Sequence, residues 1–258
     1  MCGRDEGKLK ILLITVAGMS QRFSESIGRP CLKCIYYKNN IKESLLYQMM
    51  HKKPEFDRYV IVGGYKFDEL KETLDKYFTE FSDRIILVEN DKYKEYGSGY
   101  SLYLGLEAVK EFDFEELIFA EGDLYVDSES FLKVCKIPNN VITCNGDDIL
   151  ASKAVAFYYD AQYGIHYIYD TGHSALEIRE PFLGIFNSGQ IWKFADRRLL
   201  IDAASRVGEK EWQGTNLNLI QKYFGALDRK EYEIVRFKDW VNCNTISDFD
   251  KMCELKLF

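Results

Sequence analysis

The run Ile11-Leu-Leu-Ile-Thr-Val-Ala-Gly-Met-Ser-Gln-Arg-Phe23 decides the fold. Its first six residues are continuously apolar or β-branched, without polar alternation, which is the pattern of a central parallel strand covered on both faces. Ala17 and Gly18 follow at once, small residues that let backbone N–H groups approach an anion. The same rhythm continues downstream. YVIV (59–62) reads as a second strand closed by Gly63-Gly64, RIILVE (84–89) as a third, and ELIFAE (116–121) as a fourth that runs straight into Gly122-Asp123. Helical spacing separates them: Leu45, Leu46, Met49 and Met50 within 43–53, then Phe67, Leu70, Leu74, Phe78 and Phe81, then 100–110.

Strands alternating with helices of this length predict right-handed βαβ units. The fold expected is therefore α/β, a doubly wound, mostly parallel Rossmann-like sheet. Ligands of such sheets bind beyond the carboxyl ends of the strands. The polar clusters 17–33, 63–65, 90–101 and 121–127 all fall there. After about residue 130 the pattern changes: 141–143, 154–159 and 165–169 read as antiparallel strands, with a turn at 160–164. Helical patterns return at 192–204 and 215–224, a last strand at 232–237, and a C-terminal helix from Ser247. The expected organisation is one domain over 1–258 whose second half adds an antiparallel extension.

Composition narrows the partners. A net charge of −7 gives no overall pull toward nucleic acid or an anionic membrane, although local dipoles can still hold a small anion. No apolar run approaches the ~20 residues needed to span a bilayer. Seven scattered cysteines behind a polar start, 1–10, suggest reduced thiols and a cytoplasmic location. Cys31 and Cys34 form a C-x-x-C, but no second pair or nearby histidine completes a zinc site; the histidines are His51, His166 and His173.

Two segments carry chemistry. In the first, Arg22 follows the Ala17-Gly18-Met19-Ser20 loop and can neutralise bound phosphates. The dinucleotide fingerprint and the P-loop lysine motif are both absent. In the second, EGDLYVD (121–127), Asp123 stands just past a buried strand, where a carboxylate can hold Mg²⁺; Gly-Asp is also an ordinary turn.

Taken together, ITVAGMSQRF (14–23) with Pro30 and Lys33, VGGY (62–65), GSGYSL (97–102), EGDLY (121–125) and WVNCNTISDF (240–249) resemble the sugar-phosphate nucleotidyltransferase superfamily. The likeness is nearest to the branch of bacterial phosphocholine cytidylyltransferases, and it implies the nucleotide-diphospho-sugar transferase type of fold. Residues 1–130 are then a nucleotide-binding half. Residues 131–258 form an acceptor-binding half and a C-terminal metal-ligand loop.

The resemblance implies roles position by position. Ala17, Gly18, Met19 and Ser20 wrap the nucleotide phosphates, and Arg22 binds the β- and γ-phosphates. Lys33 stands for the signature lysine. Gly64, Ser98 and Gly99 border the base with Ser101 nearby, while Asp123 and Asn244 hold Mg²⁺. Three departures mark this chain. Ser20 replaces the second signature glycine, which ordinary backbone angles would allow. Cys31 follows Pro30, so the lysine is displaced by two positions. Asn244 stands where aspartate is common.

The expected reaction is Mg²⁺-dependent transfer of CMP from CTP to a small phosphorylated or phosphonate metabolite, with pyrophosphate release, as in cell-surface or capsule decoration. Tyr125, Arg179, Glu180, Asn187 and Ser188 are the acceptor-binding candidates, with Asp127 beside them. The aromatic-rich second half reads as core or as a homodimer face. Two alternatives stay open: a UTP-, dTTP- or GTP-dependent sugar 1-phosphate nucleotidyltransferase, and a catalytically reduced nucleotide-binding module.

Overall fold

A computed structural model describes residues 8–52, 56–151, 155–169 and 176–255. The strands of the first half are β1 (Leu9–Thr15), β2 (Arg58–Gly63), β3 (Ile85–Glu89), β4 (Phe114–Glu121) and β5 (Leu124–Val126). Those of the second are β6 (Asn140–Asn145), β7 (Ala156–Asp160), β8 (Ile165–Ile168), β9 (Phe182–Phe194), β10 (Tyr232–Arg236) and β11 (Trp240–Asn242). The helices are α1 (Gln21–Ile27), α2 (Leu45–Met50), α3 (Phe67–Tyr77), α4 (Ser98–Glu107), α5 (Ser128–Lys136), α6 (Arg197–Ser205), α7 (Glu209–Trp212), α8 (Leu217–Phe224) and α9 (Ile246–Leu255).

The apolar run of β1 works because both of its faces are covered. Leu12 and Ile14 pack into one core with Ile61, Leu70, Leu74 and Ile118. Ile11 and Leu13 point the other way, into a second core with Val60, Leu102, Leu117 and Ile220. Successive strand residues alternate faces, so a strand between two helix layers needs apolar residues at every position. The expected doubly wound, mostly parallel sheet is present, in the order β10-β6-β9-β4-β1-β2-β3, with β7 and β8 extending from β9. β9 is antiparallel to β4, β6 and β7, and β8 to β7, which makes the antiparallel extension. The sheet draws strands from both halves of the sequence. Among the described residues, no helix is long and apolar enough to cross a membrane.

The helix expected from Trp192 is instead the end of a strand. Ile191, Trp192, Lys193 and Phe194 are all buried in β9, and the helix starts at Arg197 after an Asp196 cap. Lys193 disguised this strand. Its ammonium is buried, pairs with Glu116 and donates to the carbonyls of Cys135 and Ile137. A register shift opposite Gln190, which has φ 55°, also breaks the period-two pattern. The strand read at 141–143 is antiparallel to β9 as expected but parallel to β10 on its other edge. His166 lies in β8 and meets Asp160 at 2.8 Å. His173, Lys53 and Ala154 lie outside the described residues.

The small pair β5–β11 matters most for the site. Asn242 lies opposite Leu124, and the Cys243 N–H donates to the Asp123 carbonyl at 2.8 Å. A third core of Phe23, Cys31, Leu45, Tyr125, Val241, Cys243, Phe249 and Met252 locks this pair to α1 and α9. Cys31 and Cys34 point into different cores, and burial pushes the Cys34 thiol up to about 12. This C-x-x-C fills core space with protonated thiols.

Candidate active site

The parallel strands β1 to β4 all end on one side, so the segments that follow them converge there. They enclose a cleft of about 310 Å³ lined by 15–18, Ser20, 32–34, Asn90, Tyr93, 96–98, Ser101 and 121–123. Of the residues expected from sequence, Ala17, Gly18, Ser20, Lys33, Ser98, Ser101 and Asp123 line it, while Met19, Arg22, Gly64, Gly99 and Asn244 do not.

At one end four side chains meet. The Lys33 ammonium donates to Asp123 Oδ2 at 2.8 Å and to Asn244 Oδ1 at 3.3 Å. Arg22 Nη2 donates to the same Asn244 oxygen at 2.9 Å. Asn244 Nδ2 donates to Asn242 Oδ1 at 2.8 Å, so its carbonyl oxygen, not its amide, faces the two cations. The other carboxylate oxygen, Asp123 Oδ1, is buried and takes no hydrogen bond. A buried carboxylate oxygen without a donor needs a partner, and the donor set is all oxygen, which suits a hard divalent cation such as Mg²⁺. Among the described residues, no group of three or more His, Cys, Asp or Glu converges as a cage. The two protein oxygens leave room for the water and phosphate ligands that Mg²⁺ keeps.

Lys33 enters from the first residue of a 3₁₀ turn (Lys33–Ile35). Its backbone N–H donates to Ser20 Oγ at 3.2 Å. Ser20 itself has φ 53° and ψ 31°, so its backbone lies in the left-handed region and the ordinary angles that would readily allow a serine are not met. The turn from loop into α1 imposes that conformation, which is why glycine suits the position; a side chain there costs roughly 1–2 kcal/mol. The hydroxyl offsets part of this by tying down the displaced lysine. Ser20→Ala keeps the strained conformation and loses the hydrogen bond, whereas Ser20→Gly loses both. Denaturant unfolding is therefore expected to find the alanine variant less stable than the glycine variant by about 1 kcal/mol. Equal stabilities would mean that the left-handed angle costs nothing.

The far end is polar and aromatic. Asn90 Nδ2 donates to Ser101 Oγ at 2.9 Å, and Tyr93 and Tyr96 complete the wall. Gly64 is required by close approach: a Cβ there would lie 2.7 Å from Tyr93 Cβ and 3.0 Å from Ala17 Cβ. Gly99 has a different task from the expected one. A Cβ on it would meet the Trp212 carbonyl at 2.7 Å, and its N–H donates to the Gly214 carbonyl at 3.0 Å, so it docks α4 on the loop before α8.

Sequence reasoning missed Glu121 and Asn216. Glu121 ends β4 and lines the cleft, and its Oε1 accepts from Asn216 Nδ2 at 2.7 Å. Burial and the neighbouring Asp123 charge push its carboxyl up to about 7. The residue type and its place at a strand end were visible in EGD; the Asn216 partner, which comes from the start of α8, was not.

The acceptor candidates lie apart from the cleft lining. Tyr125 is a buried member of the third core, with Lys52 over its ring at 5.2 Å. Asp127 caps α5, accepting from the Ser130 N–H at 2.8 Å. Asn187 and Ser188 are buried in β9, where the Ser188 carbonyl accepts from Asn145 Nδ2 at 2.9 Å. Arg179 and Glu180 line a separate concavity of about 620 Å³ with Tyr158, His166 and Gln221, and Tyr158 donates to Glu180 at 2.7 Å.

Comparison with known proteins follows the geometry. A family profile described as "Domain of unknown function (DUF6564)" matches residues 29–256. No curated protein sequence matches the chain. Among solved structures, the inositol-1-phosphate CTP transferase from T. maritima is similar, with TM-score 0.65, 17% identity, and 97% of each chain covered. The CTP:phosphocholine cytidylyltransferase from Streptococcus pneumoniae gives 0.62 at 15% identity, covering 96% of this chain and 99% of that one. A structure described as a glucose-1-phosphate thymidylyltransferase from Bacillus anthracis gives 0.65 at 13%, covering 95% and 94%. The fold is the one that these nucleotidyltransferase structures share.

Proposed function

The chain belongs to the family described as a domain of unknown function, DUF6564, and from its fold and the cleft we propose that it is a nucleotidyltransferase. It takes a nucleoside triphosphate, CTP foremost, and a small phosphorylated or phosphonate acceptor, and it releases pyrophosphate. The observation that carries this reading is the meeting of Arg22, Lys33, Asp123 and Asn244 at one end of the strand-end cleft. Two cations beside a carboxylate and an amide oxygen are what a metal–triphosphate complex requires, and few other ligands do. CTP is favoured because two of the similar structures are described as CTP enzymes.

The acceptor's phosphate or phosphonate oxygen attacks the α-phosphorus in line. A new P–O bond forms as the bond to the bridging oxygen of pyrophosphate breaks, and the electron pair leaves with pyrophosphate. The attacking oxygen is already ionised near neutral pH, so no side chain has to take a proton. Backbone N–H groups of Ala17, Gly18 and Ser20 cradle the phosphates, Arg22 and Lys33 neutralise the charge that builds on the leaving group, and Gly64, Ser98 and Ser101 border the base. Asp123 and Asn244 would hold Mg²⁺, which when bound would supply charge neutralisation at the phosphates. Both reactants are anions, so positioning and neutralisation make up most of the catalysis.

The test is pyrophosphate release with Mg²⁺ across CTP, UTP, GTP, dTTP and ATP, each crossed with phosphocholine, aminoethylphosphonate, polyol phosphates and sugar 1-phosphates. Release with CTP and one acceptor, abolished by EDTA, is the expected result. Release with UTP or dTTP and a sugar 1-phosphate would move the base assignment but keep the reaction. Tight nucleotide binding with no release across the panel would favour a binding module, and no nucleotide binding at all would sink the reading.

A further inference from the structure

We propose that Glu121, held by Asn216, reads the sugar hydroxyls of the bound nucleotide and makes the cleft selective for ribonucleotides over 2′-deoxyribonucleotides. The inference rests on the nucleotide-transfer reading above and adds a specificity residue to it.

A hydrogen-bonded rail runs along one wall of the cleft. It starts at Glu121, two residues before Asp123, whose Oε1 accepts from Asn216 Nδ2 at 2.7 Å. The Asn216 backbone N–H donates to Ser98 Oγ at 3.1 Å, and Ser98 opens α4. One turn further along α4, Ser101 Oγ accepts from Asn90 Nδ2 at 2.9 Å. Glu121, Ser98, Ser101 and Asn90 all line the cleft. The rail thus links the charged end, at Asp123 and Lys33, to the polar and aromatic end, at Asn90 and Tyr93. A nucleotide laid with its triphosphate at the first end and its base at the second puts its sugar beside Glu121.

The chemistry of a carboxyl fits that place and little else in the cleft. Each carboxylate oxygen accepts about two hydrogen bonds, so one bond from Asn216 leaves most of its capacity for ligand. A carboxylate facing the triphosphate would repel it, whereas an uncharged diol offers two donors. An acidic side chain on ribose hydroxyls is also a recurrent solution in other nucleotide-binding sheets. Asn216 is 1% exposed, so it is a fixed support that fixes the carboxyl's orientation. If Glu121 served only to hold the start of α8, an amide would do so without placing a second carboxyl beside Asp123.

The experiment measures binding of CTP and 2′-deoxy-CTP by calorimetry with Mg²⁺, and kcat/KM for both, in the native chain, Glu121→Gln and Glu121→Ala. The native chain is expected to favour the ribonucleotide by roughly 10–100-fold, the range of one or two hydrogen bonds to a charged group. Glu121→Ala is expected to bring the ratio within about threefold of unity by weakening CTP more than dCTP, which keeps only its 3′-hydroxyl. Glu121→Gln, which keeps an acceptor for Asn216 and guards against loss of fold, is expected to fall between. A ratio that is the same in all three folded proteins, or near unity in the native chain, overturns the proposal. Absence of any nucleotide binding to the folded native chain overturns the nucleotide-transfer reading instead.

Discussion

Replacing Asp123 with asparagine is expected to lower pyrophosphate release by about 10³-fold or more, the equivalent of about 4 kcal/mol of transition-state stabilisation. The substitution is nearly isosteric, so the backbone bond from Cys243 to the Asp123 carbonyl at 2.8 Å and the β5–β11 pairing both survive. What disappears is the negative charge opposite Lys33 and the buried oxygen, Oδ1, that no hydrogen bond satisfies. An unsatisfied buried carboxylate oxygen has little reason to persist in a purely structural ion pair, and asparagine would then be tolerated with activity intact. Calorimetry with CTP separates the two cases: nucleotide binding retained with chemistry lost assigns Asp123 to the reacting phosphates. A variant retaining more than about a tenth of native turnover would remove Asp123 from that role.

The parts of the molecule that the sequence made legible are those where one physical constraint acts alone. β1 is buried on both faces and so is apolar throughout, and Ile11 to Ile14 at 0% exposure need no second condition. Asp123 was legible for the same reason, as an acid following a strand that ends at a cleft. Errors arose where two constraints overlapped. Trp192 and Lys193 belong to a strand, yet the buried lysine bonded to Glu116, Cys135 and Ile137 reads as a surface residue of the helix that begins four residues later. Tyr125 looked like a cleft residue because it follows Asp123, but strand alternation in β5 turns its ring into the core with Phe249 and Met252. The remaining gap is long-range pairing. Asn216 finds Glu121, and Asn244 finds Lys33, through the packing of α8 and of β11, and no local pattern in either segment announces its partner.

Ser20 connects these themes. Its left-handed angles and its bond to the Lys33 N–H are two halves of one local arrangement. A residue that departs from the glycine pattern stands against the lysine that departs from the Pro-Lys pattern, and the first anchors the second. The displaced lysine thereby reaches Asp123 at 2.8 Å despite its shift along the chain.

Lys33→Met is expected to move two measurements in opposite directions, which makes it the sharpest probe of the charged end. Turnover should fall by about 10²–10³-fold, the usual loss when a preorganised donor to a leaving group is removed. Binding of Mn²⁺ without nucleotide, followed by electron paramagnetic resonance, should instead tighten by about tenfold or more, the size of an ion-pair effect at a partly buried site. The reason is geometric. The ammonium sits 2.8 Å from Asp123 Oδ2 and 3.3 Å from Asn244 Oδ1, between the two oxygens that a divalent cation needs. With the Lys33 side chain 17% exposed and that of Asp123 24%, the pair is weakly screened, and a bare cation has to displace it. On the proposed reading, a triphosphate arriving with its metal would offer Lys33 and Arg22 new anionic oxygens and so release the carboxylate. Cation and nucleotide would then favour each other's binding, by the same factor in either order. Methionine keeps the reach of the side chain without its charge, so the coupling should shrink along with turnover. Unchanged Mn²⁺ affinity in the variant would show that Lys33 does not guard these oxygens, and its place beside Asp123 would then be only an ion pair.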